Sequence, residues 1–133
     1  MGDLVKSGQS ELIGLMNKTG AGLSVPQPFE RDIFLFDTYV AGTTHVENIQ
    51  ELAEKLLIGD KLTFKREPNN KFDPQAIRIQ TMDNQKVGYV PRKDNVVFSR
   101  LMDAGKLLFA KIKDKEMRGT WLRLNIKIFL HET

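Results

Sequence analysis

Apolar residues crowd both alternating sets of positions from Ile33 to Gly42, with Ile33, Leu35 and Tyr39 on one and Phe34, Phe36 and Val40 on the other. That pattern predicts a strand buried on both faces. Thr44-x-x-Glu47 then has the form of a capping box. Val46, Ile49, Leu52, Ala53 and Leu56 follow at helical spacing until Gly59, predicting a helix. Lys61 to Arg66 alternates, with Leu62 and Phe64 inward, and a polar turn leads to a strand carrying Ile77 and Ile79. Asp83-Asn84 turns the chain into a fourth strand, Lys86 to Val90, which Pro91 ends. Val96, Val97, Phe98, Leu101 and Met102 predict a second short helix ending near Gly105. The last hairpin pairs Leu107–Lys113 with Thr120–Leu130 across Gly119. Leu122, Leu124, Ile126, Ile128 and Leu130 share one face of it, while Trp121 and Phe129 on the other are expected beneath a helix. Six strands and two short helices, joined mostly as hairpins, predict a mainly β fold: a small six-stranded antiparallel barrel of OB/SH3-like type.

Residues 1–30 stand apart. Leu4, Val5, Leu12, Ile13, Leu15 and Met16 suit a short amphipathic helix that Gly8 and Gly14 weaken, and Gly20-Ala21-Gly22 with Pro26-Gln27-Pro28 reads as a linker. The expected organisation is therefore a tail over 1–30 and one barrel domain over 31–133. With no cysteine in 133 residues, disulfides and thiolate metal sites are out, which fits an intracellular setting. No apolar run is long enough for a membrane span and no signal segment opens the chain, so a cytoplasmic protein is expected. The net charge of +3 says little, but its distribution is uneven. Residues 31–84 hold 7 Lys/Arg against 9 Asp/Glu, and residues 85–133 hold 11 against 5. A basic second half attracts a polyanion if its charges converge on one face, and is otherwise a solvated surface.

Catalytic signatures are missing: there is no Gly-x-Ser-x-Gly elbow and no phosphate-binding P-loop, and His45 and His131 are too far apart for a metal motif. Asp73 and Asp83, flanking one strand, are the residues a magnesium-dependent nuclease would use, though turn carboxylates commonly bond their own backbone. A binding module needing no cofactor is the better class. Phe72, between Lys71 and Asp73 in a polar turn, is either a platform for a nucleic-acid base or a plug folded over the barrel end. Tyr89, between Gly88 and Val90, is either a second platform or a core tyrosine with a bonded hydroxyl. Asp73 repels phosphate but accepts a hydrogen bond, which suits a terminal 3′-hydroxyl; its other reading is an Asx turn before Pro74. Lys65, Arg66, Arg92 and Lys93 at strand ends are phosphate candidates, with Arg66 alternatively paired to Glu67 or Asp73.

Three separated segments carry a family resemblance. They are Val40-Ala41-Gly42, then Arg66-Glu67-Pro68-Asn69-Asn70-Lys71-Phe72-Asp73 through Ala76-Ile77, then Val87-Gly88-Tyr89-Val90-Pro91. Together, from about Ile33 to Leu130, they resemble the HIRAN domain. The resemblance implies that aromatics of the turn and the following strand sandwich terminal bases of single-stranded DNA, and that the turn Asp meets the 3′-hydroxyl. Asn70, Phe72, Asp73 and Tyr89 match those roles. After Gly42 the chain departs from the pattern, with Thr44 and His45 where the family's best-studied eukaryotic members have Arg and Tyr. The expectation is a non-enzymatic module for single-stranded DNA with a free 3′-hydroxyl, serving a separate helicase or nuclease in DNA repair. Base stacking does not separate DNA from RNA. The rival readings are a protein-interaction module using the barrel edge or the tail, and the Asp73/Asp83 nuclease.

Overall fold

The alternating segments become one antiparallel six-stranded sheet in a computed structural model that describes residues 31–132. The helix expected around Leu12 and Met16 lies outside the described residues. In chain order the elements are β1 (Arg31–Tyr39), a 3-10 turn (Thr43–His45), α1 (Ile49–Lys55), β2 (Lys61–Arg66), β3 (Ile77–Gln80), β4 (Lys86–Tyr89), α2 (Arg92–Asp103), β5 (Leu107–Arg118) and β6 (Trp121–Glu132). The strands lie in the order β1-β6-β5-β2-β3-β4. Twist curls the sheet into a half-barrel, and its two edges meet where Ala41, just past β1, bridges Tyr89 at the end of β4. Ala41 N–H donates to the Tyr89 carbonyl at 2.8 Å, and Tyr89 N–H returns the bond at 2.9 Å.

The concave side is filled by Leu62, Ile77, Ile79, Val87, Ile112, Leu122, Leu124, Ile126 and Ile128, all essentially without solvent access. α1 adds Ile49, Leu52 and Ala53 to this core, and α2 adds Phe98. Lys115 of β5 fastens α1 by donating from Nζ to the carbonyls of Ala53 (2.6 Å) and Leu56, the groups a helix end leaves open. α2 stops as expected at Gly105, whose φ of +91° lets Lys106 N–H reach the Leu101 carbonyl and Gly105 N–H that of Met102.

Five expectations need correction. β1 is an outer strand rather than a doubly buried one, with Phe34 49%, Phe36 41% and Tyr39 39% exposed. A bulge between Phe34 and Phe36 offsets its pairing with β6, so a simple period of two does not sort its faces. The capping box does not form. Thr43 is buried and donates its hydroxyl to the Leu122 carbonyl at 2.8 Å, which winds residues 43–45 into a separate turn. α1 starts only after Asn48 and ends at Lys55, short of Gly59. On α2, Val96 and Val97 face solvent while Asn95 and Ser99 are buried. Among the described residues no helix covers Trp121 or Phe129. Trp121 meets Arg118, and Phe129 stacks on Phe109 with ring centroids 5.3 Å apart.

Gly88 makes the closure possible. A Cβ there would lie 2.4 Å from Val40 Cγ1 and 2.5 Å from the Ala41 carbonyl oxygen, the acceptor of the closing bond. Gly88→Ala is expected to destabilise the fold by about 1–3 kcal/mol, as overpacking does. A urea midpoint equal to that of the parent protein would show that the two edges do not need this close approach.

Candidate nucleic-acid interface

The loop between β2 and β3 owes its shape to one asparagine. Asn70 Oδ1 accepts from the backbone N–H groups of Phe72 (2.9 Å) and Asp73 (3.1 Å), while its Nδ2 donates to Glu67 Oε1 at 3.0 Å. Glu67 Oε1 also accepts from the Tyr89 hydroxyl at 2.8 Å, tying the loop to β4. Arg92, the first residue of α2, donates to the Phe72 carbonyl at 2.8 Å. Held from both sides, the loop leaves Phe72 84% exposed. Phe72 is therefore no plug over the barrel.

Phe72, Asp73, Asn70, Tyr89, Arg92 and Gly42 line a pocket of about 230 Å³, together with Ala41, Ala76, Val90 and Asn95. Gly42 turns the chain into this wall with a φ of +75°, a conformation side chains disfavour. Tyr89 lines the pocket, and Lys86 Nζ lies 4.6 Å from its ring centroid. Asp73 is both an Asx-turn former and a pocket residue. Its Oδ1 accepts from Gln75 N–H at 2.9 Å, its Oδ2 from Asn95 Nδ2 at 2.8 Å, and Arg92 Nε stands 3.7 Å from Oδ2.

These contacts set the charge states. The hydrogen bond from Asn95, then that from Gln75 N–H, holds the Asp73 carboxyl below its usual range despite partial burial, with Arg92 and Arg66 adding to the effect. For Glu67, burial pushes upward, but the bonds from Asn70 and Tyr89 and the charges of Lys86 and Arg78 outweigh it and the net shift is downward. Burial, followed by the bond to Glu67, raises Tyr89, whose hydroxyl stays protonated at neutral pH.

The other sequence candidates are dispersed. Arg66 is spent on structure: its guanidinium reaches Asp103 at 2.9 and 3.2 Å and the Ala76 carbonyl at 2.9 Å. Lys71 is exposed on the loop, and Lys65 is exposed on β2 opposite Arg78. Lys93 lies over the Tyr39 ring, 5.4 Å from its centroid. Thr44 and His45 do not line this pocket. Thr44 faces a groove shared with Ile49 and Thr120, and His45 another between α1 and the β3–β4 turn. Asp73 and Asp83 sit beyond opposite ends of β3, and among the described residues no cluster of His, Asp or Glu suits a metal ion. Sequence reasoning missed the parts played by Glu67 and Asn95. The signal for Asn95 was a polar residue one turn before Ser99 on a face that also carries Phe98.

The HIRAN domain model matches residues 33–133, and the chain belongs to that family. A Fanconi-associated nuclease 1 homolog from Oryza sativa subsp. japonica is 34% identical over 97 residues, which make up 71% of this chain but span only 9% of that protein. A protein of known structure from Lactobacillus plantarum, 25% identical, superposes with a TM-score of 0.73 over 78% of this chain and 99% of its own. The HIRAN domain of human HLTF superposes with a TM-score of 0.60 over 77% and 80%. At 12% identity that likeness is one of fold. Among the described residues no helix is long and apolar enough to cross a membrane.

Lowered carboxylate pKa values make stability depend on acid. The contributions of Glu67 and Asp73 are complete above their unfolded values of about 4, and are lost as pH falls through the lower folded ones. Glu67→Gln keeps an acceptor for Tyr89 and Asn70 but removes the titrating charge. Its urea midpoint should therefore fall less than the parent's between neutral pH and about pH 3. Parallel pH profiles for the two proteins would rule Glu67 out as a source of acid sensitivity.

Proposed function

We propose that this chain is a DNA-binding module that takes the free 3′-hydroxyl end of a single strand in the Phe72–Tyr89 pocket, in service of a nuclease or helicase machine. The observation that carries this reading is Phe72, 84% exposed on a backbone fixed by Asn70 and Arg92. An aromatic held out of the core beside a pocket that Tyr89 also lines is what stacking of a terminal base requires. Asp73 has one protein donor on each oxygen and retains lone pairs for a ligand hydroxyl. Arg92, with its side chain 71% exposed, and Lys93 beside it serve the neighbouring phosphate, and Lys71 and Lys65 add positive field. Arg66, Thr44 and His45 drop out of the contact set. Family membership supports nucleic acid as the ligand class, and the partial match to a nuclease homolog supports that kind of partner.

Fluorescence anisotropy with a short single strand tests the stacking. Phe72→Ala is expected to weaken binding by about 1–3 kcal/mol. Because the ring is exposed, stability should move by no more than about 0.5 kcal/mol. Unchanged affinity would remove Phe72 from the interface.

The end preference rests on Asp73. A 3′-phosphate removes the hydroxyl donor and brings negative charge to an ionised carboxylate. A hydrogen bond to a charged group is worth about 1.5–3 kcal/mol, so the 3′-hydroxyl strand should bind at least about tenfold better. Equal affinity for the two ends would reduce Asp73 to a loop former and defeat the end-recognition reading.

A further inference from the structure

The convex face of the sheet carries three lysines in one line. Lys61 of β2 pairs opposite Lys111 of β5, and Lys111 opposite Lys127 of β6. Like charges directly across a strand pair are unfavourable, and neighbouring strands set these about 4.8 Å apart. Among the described residues none of the three is paired with a carboxylate. Each ammonium instead lies over a phenyl ring: Lys61 over Phe109 at 4.5 Å, Lys111 over Phe129 at 5.4 Å and Lys127 over Phe34 at 5.8 Å. Those rings form the adjoining row, Phe109 opposite Phe129 and Phe129 opposite Phe34. The nearby acids are engaged elsewhere. Asp37, opposite Lys127, stands 3.8 Å from Lys113, Asp114 accepts from Asn125, and Glu116 pairs with Arg118.

We propose that this lysine row is a second DNA contact, docking the phosphodiester backbone of duplex DNA that adjoins the single-stranded end. The inference rests on nucleic acid being the ligand, though not on the end pocket itself. Charge complementarity names the occupant: a line of unneutralised ammonium groups, positioned by the rings beneath them, matches a line of phosphates. A lysine lies over each ring of this face, including Phe34, which is 49% exposed, and Phe109 is only 6% exposed, so cations rather than open rings meet a ligand here. Backbone contact without base contact suits a duplex. The two surfaces are close. Asp37, at the end of the row, is four residues from the pocket residue Ala41, no more than about 13 Å along the strand.

The test uses a covalently closed DNA dumbbell, which has no 3′ end for the pocket, beside a short single strand ending in a 3′-hydroxyl. The full chain is compared with the triple variant Lys61→Gln, Lys111→Gln, Lys127→Gln. The parent should bind the dumbbell with a salt-dependent affinity. The variant should lose at least tenfold of it at low salt, and its log–log salt slope should flatten by about 0.9 per lysine. Binding of the short strand should stay within about twofold. A urea midpoint at or above the parent's, expected from relief of the like-charge pairs, shows the variant folded. A parent that does not bind the dumbbell, or a variant with an unchanged salt slope, overturns the proposal. Binding to anionic phospholipid vesicles without binding to the dumbbell also overturns it, by assigning the row to a membrane surface. Loss of dumbbell binding in the variant supports the row even if the short strand binds neither protein, in which case only the end-pocket reading falls.

Discussion

The candidate site exists because the sheet closes at one backbone bridge. Ala41 and Tyr89 exchange two hydrogen bonds of 2.8 and 2.9 Å, and Gly88 lets the strands come that near. Without the bridge β4 would present an unpaired edge, and Gly42 would have no reason to lie beside Tyr89. With it, three segments widely separated along the chain become three walls of one pocket. The residue turning out of the first strand, the loop after the second and the end of the fourth depend on each other through that contact.

Carboxylates at a site proposed for a polyanion look contradictory until their partners are counted. Glu67 is consumed by Asn70 and Tyr89, and it fixes the hydroxyl end of the tyrosine so that the ring keeps one orientation. Asp73 is balanced by the amide of Asn95 and the guanidinium of Arg92. The pair Asp73–Arg92 places an acceptor and a donor set side by side at the pocket, the combination on which the proposed preference for a hydroxyl-bearing end rests. Arg92 also braces the loop, through its bond to the Phe72 carbonyl.

Much of this was legible in the sequence. Strands β2, β3 and β6 followed from alternating apolar positions, because each buries one face against a single core, and β4 from the turn before it and the proline after it. Of the pocket residues, Phe72 and Asp73 were named from their place in a polar turn, Tyr89 and Arg92 from the strand that Pro91 ends, and Asn70 from the family resemblance. What failed did so where tertiary contacts overrode local pattern. Thr43, buried against β6, displaced the helix start that Thr44 and Glu47 suggest. β1 reads as buried because its aromatics are many, yet they lie on an outer strand. Arg66 looked like a phosphate ligand because its partner Asp103 is 37 residues away. Glu67 and Asn95 matter through bonds spanning 22 residues, to Tyr89 and Asp73, which no local period encodes.

Loops usually move, and a moving platform would have to be ordered at each binding event. Fixing one rotamer-rich side chain at an interface costs about 0.5–1.5 kcal/mol, a large part of what one stacked base returns. Here the ordering is done in advance. Asn70 occupies the two backbone donors of Phe72 and Asp73, Glu67 anchors Asn70, and Arg92 closes over the Phe72 carbonyl from α2. Phenylalanine itself has only two side-chain torsions to lose. The loop thus combines the exposure that recognition needs with the rigidity of the half-barrel behind it. The same economy holds on the convex face, where phenyl rings position lysines that would otherwise sweep through solvent. In both places an aromatic ring sets the geometry, and the difference lies in whether the ring or the cation above it is left facing outward.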